Sequence, residues 1–171
     1  AQWTNVYDML GNRISASDPD LGTWIYEHDL ADQLTAQTDA RGVRTTMSYD
    51  ANGRLLQRSI AAPVVPDPVL VTNTYDQAVA GYYNVGRLTS AANANATQRF
   101  WYNGSGVAVR RDVTDASGTH SVTDGLHVGK TTIYKSYSPG AITVGTSANR
   151  WTYDGASRLK TIPGAITGQT Y

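Results

Sequence analysis

Polar and apolar side chains alternate along this chain with a period of two. In the stretch TWIYEH, Trp24, Tyr26 and His28 fall on one side of an extended backbone. In VRTTMSY, Val43, Thr45, Met47 and Tyr49 share a face and leave Arg44, Thr46 and Ser48 on the other. That pattern predicts half-buried β-strands. No long segment carries an apolar face at helical spacing free of Gly, Asn or β-branched residues. The Ala-rich stretch SAANANATQRF from Ser90 is broken by Asn93 and Asn95, and it reads as a loop entering a strand.

Corners punctuate the strands at regular intervals. Asp-x-x-Gly occurs at Asp8–Gly11, Asp39–Gly42, Asp50–Gly53 and Asp115–Gly118, with a looser form in SDPDLG ending at Gly22. Asp at the first position of a type I turn can accept main-chain N–H bonds, and Gly at the fourth tolerates positive φ. Each corner is therefore expected to be a bulged hairpin turn. Asp8, Asp29 and Asp50 follow one another in steps of 21 residues, so two strands make one repeat. The predicted architecture is an antiparallel meander of hairpins.

Some segments depart from the plan. In YEHDLADQL the Tyr–Asp pair becomes His28–Asp29, and Asp32 takes the place of the turn Gly; Ser157 does so in YDGASRL. The spans Ser59–Thr72 and Ser136–Ala148 interrupt the meander and read as longer loops, the first because Pro63, Pro66 and Pro68 cannot donate to a ladder. THSVTDGLH from Thr119 reads as a further hairpin with Asp124–Gly125 as its two-residue corner.

Composition narrows the function classes. At 171 residues and 40% hydrophobic, the chain is long enough for one domain, taken as residues 1–171 and as a fragment of a much longer polypeptide. Its 14 basic and 14 acidic residues cancel, which gives no electrostatic case for nucleic acid. No apolar run reaches membrane-span length, and AQWTNVYDML is not a signal peptide. The missing initiator Met reads as a processed chain or an excised piece. Cysteine is absent, which removes disulfides, thiolate zinc and a Cys nucleophile.

The recurring YDMLGNRI at Tyr7, YDANGRL at Tyr49, YDGASRL at Tyr153, the longer YDQAVAGYYNVGRLTS at Tyr75 and the degenerate YNGSGVAV at Tyr102 resemble the YD repeats of Rhs proteins. Such repeats belong to bacterial Rhs and wall-associated polymorphic toxins, the C component of Tc toxins, and teneurins. The resemblance implies an all-β curved sheet that is a segment of a larger spiral shell. In the toxins, that shell holds a cytotoxic C-terminal domain. It implies flanking repeats and an enclosed toxin domain as partners, a secreted or cell-surface location, and no enzyme activity. The structural turn positions are then Tyr7, Asp8, Gly11, Asp29, Asp39, Gly42, Tyr49, Asp50, Gly53, Tyr75, Asp76, Gly86, Asp115, Gly118, Tyr153 and Asp154.

His28, His120 and His127 form no metal-ligand spacing and no nucleophile elbow accompanies them, so no catalytic residue, metal or cofactor is expected. The repeated aspartates have turn roles rather than those of paired glycosidase carboxylates. DPDLG at Asp18 resembles a self-cleavage signature only superficially and follows the turn period. The aromatics Trp3, Trp24, Tyr26, Tyr49, Trp101, Tyr102 and Trp151 read as sheet-stabilising ladders. Their alternative use is contact with glycans or a partner surface in an extracellular repeat stalk or adhesin. Asn95-Ala-Thr and Asn103-Gly-Ser are formal glycosylation sequons.

Overall fold

A computed structural model of the chain describes residues 2–63, 69–126, 132–139, 142–144, 150–153, 156, 158–162 and 166–167. The described residues are all strand, turn or irregular, and they fall into two compact units that meet in sequence at Asn73 and Thr74.

The first unit holds β1 (Thr4–Tyr7), β2 (Arg13–Asp18), β3 (Gly22–His28), β4 (Leu34–Thr38), β5 (Arg44–Tyr49) and β6 (Leu55–Ala61); β7 (Val69–Tyr75) runs across the unit boundary. Each strand pairs antiparallel with the next, from β1 to β7. Alternation is plain along β3 and β5, where half-buried and exposed residues take turns without a break. Register slips at Val6/Tyr7, Glu27/His28 and Ser48/Tyr49, so a bulge recurs at the same place in three successive repeats.

The second unit continues with β8 (Leu88–Ala92), β9 (Thr97–Tyr102), β10 (Ala108–Asp115), β11 (Gly118–Leu126), β12 (Thr132–Ser138) and β13 (Ile142–Val144), again each antiparallel to the next. β14 (Thr152–Tyr153) pairs with β15 (Leu159–Thr161), and β16 (Ile166–Thr167) pairs with β13.

Among the described residues neither unit has an ordinary hydrophobic core. Among the described residues Ala36 is the only buried hydrophobic one, at 2% exposure. Stability therefore rests on ladder hydrogen bonds, half-buried faces and the corners.

Four expectations need correcting. Asp124 and Gly125 do not turn: they lie inside the nine-residue β11 and pair with Lys135 and Tyr134. The hairpin there closes earlier, at Ala116 and Ser117, with Asp115 opposite Gly118. Gly125 serves another purpose, because a Cβ at this position would overlap the Tyr134 ring, which lies across the bare backbone. Both ends of the span Ser59–Thr72 belong to the ladder, since β6 extends to Ala61 and β7 begins at Val69; Pro66 and Pro68 lie outside the described residues. Ser136–Ser138 and Ile142–Val144 likewise form a hairpin between β12 and β13 rather than a loop. In the Ser90 stretch, Ser90–Ala92 completes β8 before the turn at Asn93.

Candidate functional site

The element that repeats with the sequence motif is the corner, so the corner is built here from its residues. Asp8, Asp29, Asp39 and Asp50 each accept two main-chain N–H bonds on Oδ1, from the residues two and four positions on, at 2.8–3.0 Å. The main chain closes around them. In each corner the Asp N–H donates four residues ahead and its carbonyl accepts from the residue three ahead, at 2.9–3.2 Å. The closing residue has positive φ: Gly11 at 90°, Asp32 at 60°, Gly42 at 78° and Gly53 at 75°. Asp32 bears the strain of that conformation, and its carboxylate accepts from Asn12 Nδ2 of the neighbouring corner at 2.9 Å.

Asn103 builds the same corner without a charge. Its Oδ1 accepts from Ser105 and Val107 at 3.0 Å each, and Gly106 closes it at φ 79°. The corner thus requires an oxygen acceptor at this position, and an amide carbonyl serves as well as a carboxylate. At the tighter corner Asp115 accepts from the Ser117 N–H at 2.8 Å and the Ser117 hydroxyl at 2.5 Å, and Gly118 has φ 124°.

These bonds hold the carboxyls below their ordinary range. For Asp8 the main cause is the backbone N–H of Asn12, for Asp39 the Arg41 guanidinium, for Asp50 the backbone N–H of Arg54 and for Asp115 the Ser117 side chain. Arg54 also places Nε 2.7 Å from the second Asp50 oxygen, which ties the opening of β6 to its own corner.

The tyrosine before the aspartate does a different job. Tyr49 donates its hydroxyl to the Leu34 carbonyl at 2.8 Å, Tyr102 to Leu88 at 2.8 Å and Tyr153 to Thr132 at 2.6 Å. Leu34 and Leu88 each open the strand before the tyrosine's own, beyond the last rung that joins the two strands, and Thr132 opens β12, two strands before the β14 that carries Tyr153. The motif is thus a two-part lock: aspartate closes the turn, and tyrosine caps the start of an earlier strand. Sequence reasoning assigned the ring to a face and missed the hydroxyl. In the second repeat His28 stands at the tyrosine position, and its buried Nδ1 has no hydrogen-bond partner.

Tyr7 is exposed at the end of β1, and Tyr75 ends β7. Asp76, at φ 64°, donates its N–H to the Arg87 carbonyl at 3.1 Å and accepts from Gly86 N–H at 2.5 Å. This corner is expanded by the intervening residues. Asp154 lies outside the described residues, as do Ser157 and His127.

Two ionic contacts had no clear signal in the sequence. Arg44 grips Glu27, the sole Glu of the chain, with both Nη atoms at 2.5 and 2.9 Å, spanning β4. Arg110 grips Asp112 along one strand with Nε and Nη2, at 2.9 and 2.8 Å, while its guanidinium sits 4.8 Å from the Trp101 ring centroid. Burial pushes the Asp112 carboxyl up, but hydrogen bonds from Arg110 and Ser121 outweigh it and keep the group low. No group of three His, Cys, Asp or Glu able to hold a metal occurs among the described residues.

The family model described as RHS Repeat matches residues 28–62, which hold the Asp29, Asp39 and Asp50 corners. The crystal structure of TcdB2-TccC3 superposes on 98% of the chain with a TM-score of 0.81 at 15% identity. Residues 28–62 are RHS repeat in kind. The TcdB2-TccC3-Cdc42 complex gives a TM-score of 0.80 and the Tc holotoxin pore of Photorhabdus luminescens 0.78, each again at 15% identity over 98% of this chain. At that identity the likeness is one of fold: an all-β antiparallel repeat sheet of the Tc toxin shell type. This chain spans 9% of the length of those Tc chains. No curated protein sequence matches it significantly.

Proposed function

We propose that this chain is a stretch of wall in an Rhs-like shell that encloses a C-terminal toxin or effector domain. The observation that carries the reading is the superposition of 98% of the chain on Tc structures whose chains are far longer. The physical chemistry agrees with it. A meander in which each strand pairs with the next extends by adding hairpins, and its ends need neighbouring repeats to cover unpaired edges. Flanking repeats of a longer polypeptide are accordingly the first partners, and a secreted or cell-surface setting follows from the family. The repeat fold supports a non-catalytic role, in which the corners are architecture and not reacting groups.

The test is protease protection of the complete polypeptide. The domain that follows the repeats should resist digestion while the shell is closed, and should become cleavable when Asp29, Asp39 and Asp50 are all replaced by Ala. A following domain equally exposed in both forms would overturn encapsulation. It would leave the repeat-stalk reading, with exposed aromatics such as Trp3, at 71% exposure, as contact points.

A further inference from the structure

The charges of β10 divide between the two faces of the sheet, and one of them is left over. Arg110 holds both oxygens of Asp112 at 2.9 and 2.8 Å, so these two cancel on one face. Arg111, the residue between them, belongs to the other face. Its cross-strand partners there are Phe100 on β9 and Val122 on β11, both apolar and half-buried. Arg111 itself is exposed and makes no hydrogen bond or ion pair among the described residues. A guanidinium with its donor fork free is thus seated in one cross-strand row between an aromatic and an aliphatic side chain.

A cavity of about 270 Å³ opens at this row, and Phe100, Arg111, Val122, Asp124 and Lys135 all line it. Asp124 lies two residues beyond Val122 on β11 and so shares its face, with Lys135 of β12 as its ladder partner. Lys135 Nζ stands 3.0 Å from an Asp124 oxygen, so these two charges also cancel. With both ion pairs counted, the cavity keeps one positive charge, that of Arg111. Its volume is below the roughly 300–1,000 Å³ of pockets that hold drug-sized ligands, so its occupant is small. The walls specify the rest: one carboxylate to take the guanidinium fork through two parallel bonds, and an apolar ring to lie against Phe100. A second carboxylate would meet Asp124 and be repelled.

We infer that this cavity on the β9–β12 face is a binding site for a small aromatic monocarboxylate. Enclosure of a toxin domain does not call for such a site, so the inference goes beyond the shell reading and stands without it.

The test titrates the full 171-residue chain at neutral pH with phenylacetate, its neutral amide and the dicarboxylate phenylmalonate, by calorimetry and by backbone amide resonances. Saturable binding of phenylacetate is expected, with shifts at Phe100, Arg111 and Val122 and weakening as salt rises. Phenylmalonate should bind more weakly, and the amide should not saturate. Arg111→Gln should lose about tenfold in affinity for phenylacetate. Arg58→Gln removes an exposed arginine outside the cavity and should leave binding unchanged. Because both arginines are exposed, both variants should keep the wild-type circular dichroism. No saturable binding by the folded wild type, an amide that binds as tightly as the acid, phenylmalonate binding more tightly than phenylacetate, or equal losses in Arg111→Gln and Arg58→Gln would each overturn the assignment. Binding of a peptide that ends in Phe where phenylacetate fails would overturn the small-acid class.

Discussion

The hydroxyl of Tyr49 donates to the carbonyl of Leu34 across two adjacent strands, at 2.8 Å. The bond satisfies a carbonyl that the β4–β5 ladder, which ends at Ala36 and Thr46, leaves open. Tyr49→Phe keeps the ring and removes only this bond, so it should destabilise the chain by about 1 kcal/mol in urea unfolding, with an unchanged m-value. The converse substitution is His28→Tyr. Arg13 opens β2 as Leu34 opens β4, one repeat earlier, so the new hydroxyl should reach its carbonyl and raise stability by about 0.5–1 kcal/mol. If Tyr49→Phe proves neutral, the capping role is wrong.

Gly53 adopts φ 75°, and a Cβ placed there would stand 3.1 Å from Gln33 Nε2. Gly53→Val should cost about 1–2 kcal/mol from backbone strain before any displacement of Gln33. Gly11, at φ 90° with open space around its Cβ direction, provides the comparison: Gly11→Ala isolates the conformational penalty alone. Thermal unfolding of the two variants separates strain from crowding.

Gly125 calls for a different outcome, since its φ is not in the left-handed region and its constraint is the Tyr134 ring. Gly125→Ala should destabilise by about 1–3 kcal/mol through overpacking. Combining it with Tyr134→Ala should recover part of that loss, which a double-mutant cycle would read as coupling. Additive effects would mean that the ring does not lie over the glycine.

Acid should loosen the aspartate corners selectively. Asp8, Asp39, Asp50 and Asp115 have folded-state pKa values below their ordinary ones. Their contribution is then complete above the unfolded value of about 3.9 and is lost as pH falls through the folded values. Asn103 forms an equivalent corner with a neutral acceptor and supplies an internal reference. Amide exchange measured from pH 6 down to pH 2.5 should accelerate at Asn52 and Arg54 more than at Ser105 and Val107. Asp50→Asn should abolish the difference at its own corner. Parallel behaviour of both corners across that range would exclude the carboxylate as the cause.

The meander and its corner spacing were legible because both are local. A period of two along β3 and β5 fixes faces, and Asp-x-x-Gly fixes where the chain reverses. Gly125 was misread because Asp-Gly favours a two-residue turn, whereas the ring of Tyr134 that this glycine accommodates comes from another strand. The prolines after Ala62 argued against pairing, yet β6 and β7 pair on either side of them, because Pro removes a donor only at its own position. The Tyr hydroxyl contact, the Glu27–Arg44 clasp and the cavity at Arg111 join residues whose proximity only the register creates.

Within each unit the long strands pair with their immediate neighbours in sequence, and this has a kinetic consequence. Every such rung closes a short loop, so the entropy of bringing partners together does not grow with the number of hairpins. A chain of this kind can be laid down in order during synthesis, each new strand finding its partner just completed behind it. Length is then limited by material rather than by the search for distant contacts.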